Sequence, residues 1–295
     1  MTRITVEEQR LKDLPEFMRR SSRYILSQLK EMAAKPGDKN MVSFISEGGP
    51  YVGGSYFSVV GTQSDLVRAV AHMFEIFSPQ YTGKGLGVEA MYEFEKFLIA
   101  KYSAEILEGP SNSRTEIVDW LKRRGFRQRR NSVWKRLGLV EPIDTAEYLS
   151  MLEQIPELCD AHSIEYANAP NAHAVRFVKK DRWKSTPENP VLVPVGVACY
   201  WQTNLEKDPV IDIKRLGILP EHRNTGYGRS FLSSLERYVS DVHAPQPCWT
   251  RAETDETDSN WYKELGYAPT KMPKLFAKRI GPATVPLSSL PVSST

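Results

Sequence analysis

Cysteine is scarce in this 295-residue chain, which carries only Cys159, Cys199 and Cys248. They lie far apart and lack metal-ligand spacing, so neither a disulfide framework nor a zinc site is expected, and no metal is assigned. Long apolar runs are missing too. The longest, VLVPVGVACYW (191–201), is far shorter than the roughly 20 residues that span a bilayer. The opening MTRITVEEQRLKDLPEF has no signal-peptide core, and a soluble cytoplasmic protein is predicted, with no membrane partner. Charge of one sign is also lacking: 39 Lys and Arg stand against 36 Asp and Glu, too even a balance to mark a nucleic-acid binder.

What the chain does have is a repeat. PQYTGKGLG (79–87) lies over PEHRNTGYG (220–228) at a shift of 141 residues. At the same shift FEKF (94–97) meets LERY (235–238), and DWLKRRGF (119–126) meets NWYKELGY (260–267). Trp120, Lys122 and Gly125 fall on Trp261, Lys263 and Gly266 without a gap. Two glycine-rich stretches alone would say little, but the downstream matches make chance a poor explanation. The chain therefore reads as two copies of one unit, residues 1–140 and 141–280, joined near LGLVEPID, with a Pro- and Ser-rich tail over 281–295 predicted to be disordered.

The second copy predicts strand, strand, helix, strand, helix, strand. VLVPVGVACYW and VIDIKRLGIL (210–219) are β-branched and short, as strands are, and QTNLEKDP forms a polar turn between them. GRSFLSSLERYV (228–239) places Phe231, Leu232, Leu235 and Val239 on one helical face. PCWTRAE (247–253) and LFAKRI (275–280) read as strands, and DSNWYKELGY as a short helix with Asp258 or Ser259 as cap and Gly266 just past its end. Helical material is expected in EYLSMLEQIPELCDAH and over 15–34. In the first copy, SDLVRAVAHMFEIF (64–77) fits a helix or a strand equally by periodicity, and the repeat favours strand over its second half.

A strand that ends in glycines and opens a helix suits an anion, because the first helical N–H groups have no intrahelical partner. No Walker loop is present, and the third glycine of the dinucleotide fingerprint is missing. The loop can equally be a tight turn with a close helix–strand contact. Leu216, Ile218, Pro220, Arg223, Gly226 and Gly228, followed by Tyr262, Gly266 and Tyr267, resemble the GNAT superfamily of acyl-CoA-dependent N-acyltransferases, in both copies. The resemblance implies an α/β (α+β) chain of two tandem domains, each with a mixed, mostly antiparallel central sheet flanked by helices. It implies acetyl-CoA or another acyl-CoA as cofactor, with Leu216, Gly217, Ile218, Arg223, Asn224, Thr225, Gly226, Tyr227 and Gly228 around it. It further implies a bulge in the strand before the loop, which Gly217 would suit, though a packing glycine is the equal alternative. An N–H near residue 218 would face the oxyanion.

As the family commonly uses it, Tyr262 would be the acid that protonates the departing thiolate. A carboxylate, Asp212 or Glu253, would be the base, either one otherwise reading as a solvated surface group. The repeat puts Leu121 opposite Tyr262 and Thr82 opposite Arg223, so the second copy is expected to be catalytic. The first keeps Gly83, Lys84, Gly85 and Gly87, either to hold coenzyme A without reaction or to support the fold. The function expected is N-acetylation of a small-molecule primary amine. The competing expectation is a non-catalytic coenzyme A-binding or RNA-binding module. KRRGFRQRRNSVWKR (122–136) bears on that choice: it is either a nucleic-acid or acidic-ligand patch, or an exposed helix end and edge strand.

Overall fold

The computed structural model describes residues 4–8, 39–46, 51–61, 66–76, 86–110, 115–181, 184–185, 191–205, 208–242, 247–254 and 259–280. The predicted helix over 15–34, the first glycine loop through residue 85 and the tail from 281 lie outside them. The chain forms two compact units, Met1–Asn112 and Ser113–Thr295. Residues 115–136, which the repeat assigns to the first copy, pack within the second unit.

The first unit contains β1 (Ile4–Glu8), β2 (Lys39–Ser46), β3 (Tyr51–Val60), β4 (Arg68–Ile76), helix α1 (Leu86–Tyr102) and β5 (Ile106–Pro110). Its strands lie in the order β1-β2-β3-β4-β5, antiparallel except for the parallel pair β4–β5. Ala90, Phe94 and Leu98 repeat every four residues along α1 and are fully buried, as one apolar helical face should be. The Phe94 ring lies 5.2 Å from Phe57 and 6.1 Å from Phe44, edge-on to both. The ambiguous stretch 64–77 resolves as strand over Arg68–Ile76. Pairing with β3 and β5 supplies the ladder bonds, which periodicity could not weigh.

The second unit opens with α2 (Thr115–Lys122) and the hairpin β6 (Arg127–Arg129) and β7 (Ser132–Arg136). There follow β8 (Leu139–Ile143), α3 (Thr145–Leu152), α4 (Ala161–Asn168), β9 (Ala172–Lys180), β10 (Leu192–Leu205), β11 (Asp208–Ile218), α5 (Tyr227–Val242), β12 (Cys248–Glu253), α6 (Ser259–Glu264), β13 (Ala268–Pro269) and β14 (Leu275–Ile280). The sheet order is β8-β9-β10-β11-β12-β14-β13, with β11–β12 the parallel pair. β10 and β11 run well into the predicted polar turn, pairing as far as Leu205 with Asp208. Asp144 and Asp160 cap α3 and α4, each accepting from a backbone N–H three residues on.

The sheet is covered on both faces. Ile211 and Ile213 meet Phe231, Leu235 and Val239 of α5 on one side. Val197, Cys199 and Leu219 meet Tyr148, Leu152 and Ile155 on the other. Burial pushes the Cys199 and Cys248 thiols up to about 11 and about 12, so neither offers thiolate at neutral pH. Cys159 is exposed. The native chain is therefore expected to react with one equivalent of an aromatic disulfide reagent, and the unfolded chain with three. Fast labelling of all three in the native state would contradict this packing.

The shift of 141 residues carries β3 to β10, β4 to β11, α1 to α5, β5 to β12, α2 to α6 and the β6–β7 hairpin to β13–β14, each within a few residues. Two mixed sheets with the same order of elements are thus the form the repeat takes.

Candidate functional site

The site starts at an irregularity in β11. Cys199 pairs with Arg215 and Tyr200 with Ile213, so Lys214 is an extra residue without an opposite number. This bulge lies three residues before Gly217, the position the sequence suggests. Gly217 is in register opposite Val197. A Cβ there would stand 2.4 Å from Leu158 Cδ1 and 3.0 Å from Ile155 Cδ1, so Gly217 is small to admit α3 and the turn after it. β4 carries the corresponding irregularity at His72, between the pairs Tyr56–Met73 and Phe57–Ala71. That is within one residue of the place the repeat assigns.

The bulge coincides with the end of the parallel ladder. β11 pairs with β12 from Val210–Trp249 to Ile213–Ala252 and no further. Beyond Lys214 the strand keeps β10, and among the described residues it pairs with no strand on the other side. Leu219 N–H donates to Val195 C=O on the β10 side at 2.9 Å. Strand alternation then turns Gly217 and Arg215 toward β10, and the backbone groups of Leu216 and Ile218 toward the opened edge. The side chains of Leu216 and Ile218 stay on the α5 face of the sheet. An extended ligand with amide groups can add to such an edge as a strand would.

The glycine loop closes the upper end of this edge. A short 3-10 turn, Pro220–His222, leads into it. Asn224 at φ 59° and Gly226 at φ 94° take the left-handed conformation, which glycine adopts freely and asparagine tolerates. Among the described residues, the backbone N–H groups of Asn224, Thr225 and Gly226 donate to no protein acceptor, and they lie just before the positive end of the α5 dipole. A Cβ on Gly228 would meet nothing closer than 3.9 Å. Arg223 ties the loop down: its Nε donates to Ile218 C=O at 3.1 Å and its guanidinium pairs with Glu157. Thr225 Oγ1 donates to His222 C=O.

Tyr262 sits on α6 in a nest of rings, 4.8 Å from Trp261 and 5.2 Å from Tyr267, and flanks the same core as Leu216 and Ile218. Gly266, at φ 89°, ends that helix as the sequence predicted. Asp212 is held by Arg251, which donates Nε to one carboxylate oxygen and Nη2 to the other, both at 2.6 Å. Glu253 is exposed at the end of β12, and among the described residues its side chain makes no hydrogen bond or ion pair. The two candidate bases thus have opposite surroundings: Asp212 has both oxygens occupied, and Glu253 has no partner among the described residues.

The basic stretch 122–136 divides between two environments. Arg129 and Arg130 are exposed. Lys135 is buried, with its ammonium 5.9 Å from the Phe126 ring. Arg123 lies where a Cβ on Gly266 would stand, 2.9 Å from its Cδ, and Arg136 Nε donates to Thr225 C=O at 3.1 Å. Much of the cluster therefore joins the first copy's last elements to the second copy, a use that neither sequence reading anticipated.

Residues 150–267 match the family model described as the acetyltransferase (GNAT) family. Among solved structures, the chain is similar to AtaTR bound with acetyl-CoA (16% identity, 48% of this chain and 92% of that one, TM-score 0.36). It is also similar to a domain from Methanocaldococcus jannaschii (12% identity, 46% and 100%, TM-score 0.37). A third is a GNAT-family acetyltransferase from Staphylococcus aureus (10% identity, 45% and 99%, TM-score 0.35). No curated protein matches the chain.

Proposed function

We propose that this chain, whose residues 150–267 match the acetyltransferase (GNAT) family model, moves an acyl group from acyl-CoA to the primary amine of a small molecule, directly and in a ternary complex. One observation carries the proposal: among the described residues the parallel ladder stops at Ile213–Ala252 beside an unpaired strand edge, and that edge runs into the loop whose Asn224, Thr225 and Gly226 amides have no protein acceptor just before α5.

The residues fit the cofactor in kind. Donors at Asn224, Thr225 and Gly226 and in the first turn of α5 would hold a diphosphate, and the edge at Leu216 and Ile218 would pair with the amides of an extended arm. Arg223 acts by fixing the loop through Ile218 and Glu157. Bound acyl-CoA supplies an activated thioester, so the protein needs only to orient an amine, stabilise an oxyanion and manage two protons. The Ile218 N–H is the donor placed for the oxyanion. Tyr262 Oη holds the proton that a departing thiolate requires. Glu253 is the better base of the two, because Asp212 already spends both oxygens on Arg251. No membrane helix is part of this reading: among the described residues no helix is long and apolar enough to cross a bilayer.

Thiol release from acetyl-CoA across a panel of amines tests the activity. Thiol formation above background with at least one acceptor is expected. Tyr262→Phe should lower kcat by about ten- to a thousandfold, the range of a lost general acid, and leave coenzyme A affinity within about twofold. A Tyr262→Phe enzyme with full kcat would remove the acid assignment. A chain that binds coenzyme A tightly yet releases no thiol with any amine would favour a binding module.

A further inference from the structure

The mechanism above leaves unused the cations that the β6–β7 hairpin brings to the glycine loop. The Trp134 ring lies against Gly226: a Cβ there would be 2.9 Å from Cη2 and 3.1 Å from Cζ3. Arg127 stacks over that ring, its guanidinium carbon 5.4 Å from the centroid, and its Cδ is the next neighbour of the Gly226 site at 3.5 Å. Arg136, at the other end of the hairpin, donates Nε to Thr225 C=O and lies 5.2 Å over the Tyr227 ring. Arg136 therefore reaches both residues that flank Gly226, and Arg127 lies beside Gly226 itself.

Neither arginine has a carboxylate partner among the described residues. Elsewhere in this unit arginines that are, like Arg136, only partly exposed are paired: Arg176 with Glu141 and Glu147, Arg215 with Asp160, Arg229 with Glu264, Arg251 with Asp212. Two cations left uncompensated beside unpaired N–H donors concentrate positive potential at one spot. His222 lies beside the same loop, its ring 5.7 Å from that of Tyr227. Its imidazole is held below its usual range by burial first, then by Lys179, with Arg136 adding to the effect and Glu221 opposing.

We infer that Arg127 and Arg136, carried by the first copy's last hairpin, complete the phosphate site of the second copy's cofactor. The inference rests on the coenzyme A reading above. Coenzyme A presents a diphosphate and a 3′-phosphate, and a planar guanidinium with free Nη donors suits either. It also gives the first copy a role that does not require its own chemistry: it lends its C-terminal hairpin to the active neighbour. The repeat pairs Arg136 with Ala277, so the second copy has no arginine at the equivalent position.

Calorimetric titration of the full chain with coenzyme A and with 3′-dephospho-coenzyme A, at low and moderate salt, tests this. Arg136→Gln and Arg127→Gln should each weaken coenzyme A by about ten- to a hundredfold, the scale of one charge-assisted bond, and flatten the fall of affinity with salt. Equal losses for both ligands assign the arginines to the diphosphate, and a loss confined to coenzyme A assigns them to the 3′-phosphate. Unchanged affinity in both variants, or tighter binding because the hairpin was obstructing the loop, would overturn the inference while leaving the cofactor reading intact. Failure of the unaltered chain to bind coenzyme A would overturn both. Should Arg136→Gln fail to fold for want of its bond to Thr225, the exposed Arg127 keeps the test decisive.

Discussion

Replacing Gly226 by glutamate is expected to abolish coenzyme A binding. Three effects act together at this position. Its φ of 94° is strained for any L side chain, at about 1–2 kcal/mol. Its Cβ would press on the Trp134 ring at 2.9 Å, so the hairpin must shift. The added carboxylate would then sit where an anion is to be held, and like charge opposes binding directly. Gly226→Ala separates these effects, since it keeps the strain and the contact without the charge. Calorimetry should show no detectable heat of binding for the glutamate variant and an intermediate loss for alanine. Thermal unfolding should fall in both. A glutamate variant that binds coenzyme A as the unaltered chain does would show that this loop is not the phosphate site.

The largest effect on stability is expected at Lys278. Its ammonium lies 2.6 Å from a Glu236 carboxylate oxygen, and the two residues are only 8% and 5% exposed. The same ammonium donates to Arg123 C=O at 3.3 Å and lies 5.5 Å from the Tyr267 ring. Burial pulls the Lys278 ammonium below its usual range while Glu236 pulls it up. The same burial, with the Glu236 charge second, holds the Tyr267 phenol above its usual range. Lys278→Met would leave a carboxylate in the core without its counter-ion, which costs about 3–5 kcal/mol. For a unit of this size that lowers Tm by roughly 10 °C. The double variant Lys278→Met, Glu236→Leu removes both charges and should recover most of the loss. Denaturant unfolding of the three proteins decides the matter. A single variant within about 1 kcal/mol of the unaltered chain would mean that water or another group compensates Glu236.

The bulge at Lys214 shows how much the sequence could have yielded. Apolar residues occupy positions 211 and 213 and then 216 and 218, so the alternation slips by one between Ile213 and Leu216. An extra residue restores the phase, and both pairs reach the same core. The first copy has the same slip, from Ala69 and Ala71 to Phe74 and Ile76, around His72. Residue type points instead to Gly217, because glycine is the usual mark of a bulge. That glycine answers to Ile155 and Leu158, from a different element. Steric need imposed by a distant segment leaves no trace in the local pattern. Asp212 is a similar case. Its partner Arg251 is 39 residues away, and only the parallel ladder brings them side by side.

The sequence by itself determined the duplication, the order of elements in both copies, the glycine loop that opens α5, and the pairing of a possible acid in one copy with leucine in the other. These are properties of spacing and residue type, and local backbone preferences express them directly. Tertiary structure alone decided where β11 parts from β12, which candidate carboxylate is tied to an arginine, and that 115–136 packs within the second unit against Gly226 and Gly266. Each of those depends on contacts between residues far apart in the chain, and close packing, rather than local preference, selects such contacts.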